Sequence, residues 1–289
     1  MAAAPLDAGV LGEKVGVSET YDPTLLFPMP RIAGREPLGL GVDGGPLPFA
    51  GEDVWNCYEV SWLQPSGVPK RKVLECRVAH DTANLIESKS FKLYLNSLNF
   101  ATFASDEALL DTIRADLHRA LDGPAPTLVL HPHSHPGSLS AVVGDLESYS
   151  CVDDARVDQL ALDGSKPDGP IVSASGEVVT ERLSSHQLRT LCPVTSQPDW
   201  GSVFIAYTGP QIDRALLLRY VVSLRREAGF HEAAVEQIFL KVMATGATAL
   251  VVTVQFLRRG GIDINPSRTL VAGWTAGPSA GSTETTSAR

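Results

Sequence analysis

The chain has 289 residues, of which 20% are charged and 44% hydrophobic, and a formal net charge of −9. This length can bury one large core or two smaller ones, and a mean hydropathy near zero is ordinary for a globular chain. No apolar run approaches the roughly 20 residues that a bilayer span needs, so no membrane partner is expected. Acidity without a basic block argues against direct nucleic-acid binding and leaves a small molecule as the expected partner. The opening MAAAPLDAGVLGEKVG lacks a cationic start followed by an apolar stretch, so no secretory signal is expected. Cys57, Cys76, Cys151 and Cys192 form no CxxC pair, which fits a reducing, cytoplasmic setting.

Residues 1–50 are rich in Pro and Gly and are expected to wrap the surface. Val54–Gln64 and Lys70–His80 read as two strands joined around Pro65-Ser66-Gly67. In IESKSFKLYLNSL, Phe91, Tyr94, Leu95 and Leu98 keep helical spacing, while Phe91, Leu93 and Leu95 also alternate; length favours helix. Ser105 caps a second helix with Leu109, Leu110, Ile113, Leu117 and Leu121 on one face. The second half repeats the order: a strand before Cys192, a strand at Ser202–Thr208, helices from Asp213 and His231, and a strand at Thr248–Leu257. Aligning IESKSFKLYLNSL with IDRALLLRYVVSL pairs Ile86 with Ile212, Glu87 with Asp213, Tyr94 with Tyr220 and Ser97 with Ser223. A ββαα module used twice gives an α+β fold. The expected organisation is a segment at 1–50, modules at 51–160 and 161–275, and a disordered polar tail at 276–289.

Four clusters carry candidate chemistry. In LCPVTSQPDWG, a loop held by Pro193, Pro198 and Gly201 can present Cys192 and Asp199 to one cavity; a thiol beside a carboxyl suits covalent attack on an electrophilic carbon with proton delivery. An inert buried thiol is the alternative. Glu87-Ser88-Lys89-Ser90 opens a helix, where amide donors and the dipole favour anions, and Glu87 could instead accept paired N–H groups from a guanine-like edge. Phe230-His231-Glu232 opens another helix, at whose entrance polar groups can reach a cleft; a capping acid beside a surface histidine is the alternative. Arg258-Arg259-Gly260-Gly261 ends a strand with guanidinium forks suited to phosphate. By contrast, Gly39-Leu40-Gly41-Val42-Asp43-Gly44 matches GxGxxG without a strand before it or a helix after it, so a dinucleotide fingerprint is rejected. His131, His133 and His135 alternate, but Pro132, Pro136 and Gly137 interrupt them and no acidic or cysteine ligand stands at a recognisable spacing. They read as a solvent-facing loop, with zinc as the alternative.

ESKSFKLYLNS, CPVTSQPDWGS, FHE and RRGGIDINP, in this order, resemble the 7-cyano-7-deazaguanine reductases, NADPH-dependent nitrile reductases of the queuosine pathway. The resemblance extends to YDPTLLFPMPR, PLGL and LPFAGEDVWNCYEVSWL and spans most of residues 20–268. It implies the long form of the family: tandem tunnelling-fold modules, forming an antiparallel sheet with helices on one face. It also implies that Cys192 is the nucleophile forming a thioimide with the nitrile carbon and that Asp199 is the proton donor. Ile86, Glu87, Ser88, His231 and Glu232 would hold the deazaguanine; Ser88, Lys89, Arg259 and Gly260 would bind NADPH, used twice per substrate. No metal is expected, and the resemblance implies a homodimer. HPHSHPG and the tail depart from the family, leaving Cys151 and the three histidines without a role. Another tunnelling-fold enzyme acting on a pterin or purine, and a non-catalytic purine-binding protein, are the alternatives.

Overall fold

The structure, a computed structural model, describes residues 19–41, 44–135, 143, 145–155 and 165–271. The tail at 276–289 and residues 1–18 lie outside the described residues. The strands are β1 (Pro28–Pro30), β2 (Phe49–Leu63), β3 (Pro69–Ala79), β4 (Asn84–Ile86), β5 (Thr127–His131), β6 (Ser150–Cys151), β7 (Val178–Leu191), β8 (Pro198–Pro210), β9 (Ala249–Phe256) and β10 (Ile262–Leu270). The helices are α1 (Ile32–Arg35), α2 (Ser88–Ser97), α3 (Asp106–Leu121), α4 (Arg214–Ser223) and α5 (His231–Met243).

Eight strands form one sheet in the order β5-β3-β2-β10-β9-β8-β7-β6, and β1 pairs with β4 separately. Every neighbouring pair is antiparallel except the short β6–β7 pair. The helices pack on one face of this sheet. Trp55, Cys57, Leu74 and Cys76 point from β2 and β3 into a core with α2 and α3, whereas Val203, Ile205, Val252 and Val254 pack against α4 and α5. The two cores are interlocked: Ile262 and Ile264 of β10 belong to the first, and Phe49 of β2 belongs to the second.

The internal repeat is visible atom by atom. Glu87 and Asp213 both accept backbone N–H groups as N-caps, and α2 and α4 each run 10 residues. The Ser97 hydroxyl donates to the Tyr94 carbonyl at 2.7 Å, and Ser223 donates to Tyr220 at 2.6 Å. Each long hairpin also breaks register once, between Cys57 and Val60 and between Ser185 and Leu188. α3 begins as expected, with Ser105 accepting from Ala108, and its Leu109, Ile113, Leu117 and Leu121 are buried in the first core. The helix ends at Asp122, in the left-handed region.

Two expectations, on the N-terminal segment and on His131, need correction, and one strand was not read from the sequence. The segment before residue 50 does more than cover the surface, because it sends Arg31, Arg35, Leu26 and Met29 into the interior. The stretch after Gly261 is a strand, β10, which lies between β2 and β9. His131 ends strand β5 rather than sitting in a loop.

A buried ionic network links these parts. Arg268, fully buried on β10, donates to Asp53 of β2 at 2.8 Å and to Glu236 of α5 at 2.8 and 3.0 Å. Arg31 reaches Asp53 at 2.6 Å, and Arg35 binds both oxygens of Glu236 at 2.8 and 3.0 Å. Burial works to raise the Asp53 and Glu236 carboxyls, but the guanidinium groups outweigh it and hold both below their ordinary values of 3.8 and 4.5. A folded-state value below the unfolded one contributes stability above the ordinary value and loses it as pH falls through the depressed one. Replacing Arg268 with Met should therefore cost about 3–5 kcal/mol in urea unfolding near neutral pH, because two buried carboxylates lose their shared cation. The variant should also show a flatter loss of stability in acid; a cost below about 1 kcal/mol would mean that the acids find water instead.

Candidate active site

A cavity of about 410 Å³ opens where the two cores meet, and its wall includes Ile86, Glu87, Ser88, Lys89, Cys192, Asp199, His231, Glu232, Arg259 and Gly260. The structure thus brings every sequence-predicted site residue to one concavity. Its size falls within the usual range of small-molecule sites.

The first half contributes the start of α2. Ile86 ends β4, which is held against β1, and the Glu87 N–H donates to the Phe27 carbonyl at 3.0 Å. Glu87 is 2% exposed and works as the helix cap: one oxygen accepts from Lys89 N–H at 2.9 Å, the other from Ser90 N–H at 2.7 Å. The first of these, Oε1, also accepts a long bond from the Ser88 hydroxyl at 3.4 Å; with about two lone-pair sites per oxygen, Oε2 keeps capacity for a ligand N–H. Lys92, one turn beyond Lys89, also lines the cavity and donates to the Gly260 carbonyl at 2.5 Å. The sequence reading missed it, although its i, i+3 spacing from Lys89 puts both cations on one helix face.

The second half contributes the β7–β8 turn, the entry to α5 and the β9–β10 turn. Cys192 follows directly on β7; its N–H donates to Gln197 at 2.9 Å and its carbonyl accepts from Ser196 at 3.0 Å, with Ser196 at φ 55°. Two backbone bonds tie this turn to the entry of α5: Leu191 N–H to Glu227 at 2.8 Å, and Gly229 N–H to Leu191 at 3.0 Å. Asp199 lies in β8 itself, opposite Thr190, rather than in the loop. The turn after β9 needs its glycines, because Gly260 and Gly261 sit in the left-handed region at φ +58° and +84°.

Cys192 is the half-buried thiol of the cavity, while Cys57 and Cys76 are buried in the first core. Burial pushes the Cys76 thiol up to about 12 and also raises Cys57, so neither has thiolate character. Cys151 is exposed on β6.

Asp199 accepts from Arg259 at 2.7 Å and stands 3.6 Å from His231 Nε2. His231 stacks on Phe256 with ring centres 3.8 Å apart. Two polar atoms at this end are buried without a hydrogen-bond partner among the described residues: His231 Nδ1 and Glu232 Oε1. Buried polar groups left unpaired cost roughly 1–3 kcal/mol each, so such atoms are open for a ligand. Burial raises the Glu232 carboxyl above 4.5 and the Asp53 charge adds to this, while Arg31 and His231 pull the other way.

The fit to a nicotinamide cofactor is favourable. Lys89, Lys92 and Arg259 surround the N-terminus of α2, and Gly260 lets backbone come close, which suits a phosphate-bearing molecule. Arg259 is held by Asp199 here, but its side chain is 44% exposed and can turn outward.

Two family models match the chain. One, described as nitrile reductase, 7-cyano-7-deazaguanine-reductase N-term, covers residues 17–127. The other, described as QueF-like protein, covers residues 198–271. A protein of Azoarcus sp. (strain BH72) is 46% identical over 263 residues, covering 91% of this chain and 90% of that protein. One of Desulfotalea psychrophila is 43% identical over 267 residues, covering 91% and 94%. One of Burkholderia lata is 44% identical over 264 residues, covering 90% and 92%. All three are named NADPH-dependent 7-cyano-7-deazaguanine reductase.

The raised Glu232 carboxyl gives a test at this end of the cavity. A folded value above the unfolded one favours folding below about 4.5 and loses that contribution as pH rises through the raised value. Glu232→Gln should accordingly unfold at higher temperature than wild type near neutral pH, with the difference vanishing toward pH 4. A constant difference across that range would place the carboxylate charge in contact with water.

Proposed function

Because the chain belongs to the 7-cyano-7-deazaguanine reductase family of nitrile reductases, we propose that it reduces the nitrile of 7-cyano-7-deazaguanine to the amine of 7-aminomethyl-7-deazaguanine, a step of queuosine biosynthesis. The supporting observation is a thiol, Cys192, and a carboxyl, Asp199, facing one cavity whose wall also carries Glu232 and His231, each with an unpaired buried polar atom among the described residues.

In this reading Glu87 and Glu232 accept the N–H groups of the guanine-like edge, with Ile86, Ser88 and His231 beside the ring. The sulfur of Cys192 gives up its proton as it bonds to the nitrile carbon, a π pair moves to nitrogen, and Asp199 delivers a proton there, so that the thioimide N–H replaces the S–H. A carboxylate paired with Arg259 is an acceptor, so Asp199 must take up a proton and loosen that pair before it can donate. Two NADPH molecules, bound one after the other, would each supply one hydride: the first to the thioimide carbon, with Cys192 leaving as thiolate, and the second to the resulting imine, whose nitrogen takes a proton. Ser88, Lys89, Arg259 and Gly260 hold its phosphates.

We place the enzyme in the cytoplasm, consistent with four free cysteines. No helix among the described residues is long and apolar enough to cross a membrane. A homodimer is also proposed, supported by β5 and β6, which have no further strand beside them among the described residues.

Mixing protein, 7-cyano-7-deazaguanine and NADPH should consume two cofactors per nitrile. Without NADPH, intact mass should show one substrate added to wild type and none to Cys192→Ala. Asp199→Ala should slow the addition by roughly 10²–10⁴-fold. An adduct that persists in Cys192→Ala would overturn the nucleophile.

Arg259→Ala should raise KM for NADPH far more than for NADH, since the 2′-phosphate distinguishes them. An equal rise for both would remove Arg259 from the phosphate site.

A further inference from the structure

We propose that Glu75, His131 and His135 bind a divalent transition-metal cation of the zinc class at the β5 edge of the sheet, apart from the active site. One ligand atom from each residue lies within 4.8 Å of the others. None of the three lines the cavity that holds Cys192.

Sheet register builds this cluster. Val73 pairs with His131 and Glu75 with Val129, so His131 and Glu75 project from one face. That face is opposite to the one from which Leu74 and Cys76 enter the first core. Beyond β5 the chain turns back: His135 N–H donates to the Pro132 carbonyl at 2.9 Å. This lays the His135 ring on His131, with centres 3.9 Å apart and planes 8° from parallel, while His133 stays exposed.

Three observations point to a cation. His131 Nε2 stands 3.1 Å from Glu75 Oε2, so a nitrogen and a carboxylate oxygen already face each other. His135 Nε2 is buried with no hydrogen-bond partner among the described residues. The other Glu75 oxygen is fixed by Arg77 at 2.6 Å, the kind of outer contact that orients a ligating carboxylate.

Two imidazoles and one carboxylate match the three protein ligands of an open zinc site, with water completing the tetrahedron. Calcium and magnesium prefer sets made of oxygen alone, which this is not. The side chain of His131 is 24% exposed, giving a cation a way in. Binding requires the stacked rings to rotate until their lone pairs converge beside Glu75. A bound cation would clip the turn after β5 to β3 and so stabilise the sheet edge.

The test begins with full-length protein dialysed against chelator and titrated with ZnCl₂ in a calorimeter, with bound metal counted by elemental analysis. Wild type should take up one Zn²⁺ per chain and gain thermal stability with it. His135→Ala and His131→Gln should both lose the stoichiometric uptake and the zinc-dependent rise in Tm; the glutamine can still donate to Glu75, which guards against misfolding. His133→Ala and Cys192→Ala should keep both properties, excluding the exposed histidine and the active-site thiol. No stoichiometric uptake by wild type, or uptake that survives in His135→Ala and His131→Gln, would overturn the proposal.

Discussion

Arg268 is the centre on which the rest of the structure depends. A fully buried guanidinium is tolerable only when its acceptors stand in fixed places, and here they come from β2 and α5. With Arg31 and Arg35 from the N-terminal segment, five charged groups from four regions of the chain settle in one interior knot. Each would be costly alone. The knot therefore selects the β2–β10 register, seats α5 and draws residues 31–35 inward. Glu236 and Glu232 lie one helical turn apart, so seating the first also aims the second into the cavity. Arg31 and Glu232 share a small void beneath that cavity, and both present an unpaired atom.

The reactive cavity is a property of the seam between the two repeated halves. One half supplies a helix start with its cap and cations; the other supplies the thiol turn, the β8 carboxyl and the entry to α5. Exchange of β10 and Phe49 between the two cores keeps these parts from moving independently. Backbone bonds at Leu191 fix the thiol turn to the strand of residues that leads into His231. The chemistry thus rests on segments that are each short but anchored at both ends.

Helices were legible because their signals are local: Ser105, Glu87 and Asp213 mark starts, and the Tyr and Ser positions recur between halves. The cavity residues were legible as four clusters, yet their convergence came from resemblance rather than from spacing. β10 was hidden by Asn265-Pro266-Ser267, which reads as a turn. Pro266 is accommodated because β9 pairs only with Ser267–Thr269, so its missing N–H leaves that ladder intact. The ionic knot was illegible for another reason: arginines and acids scattered from residue 31 to 268 look like solvated surface until tertiary contacts join them. Glu75 escaped notice beside the histidines because strand register, not sequence distance, brings it to His131.

Glu87 closes the first turn of α2 with both oxygens while lining the cavity. Redesign of base selectivity at this position would therefore trade against local folding, since losing a helix cap typically costs about 0.5–2 kcal/mol. Glu232 does less for its helix end: its carboxyl meets its own backbone N–H, and its Oε1 has no hydrogen-bond partner among the described residues. An engineer reshaping the cavity would start from its α5 side, where a change disturbs fewer of the bonds that hold a helix end.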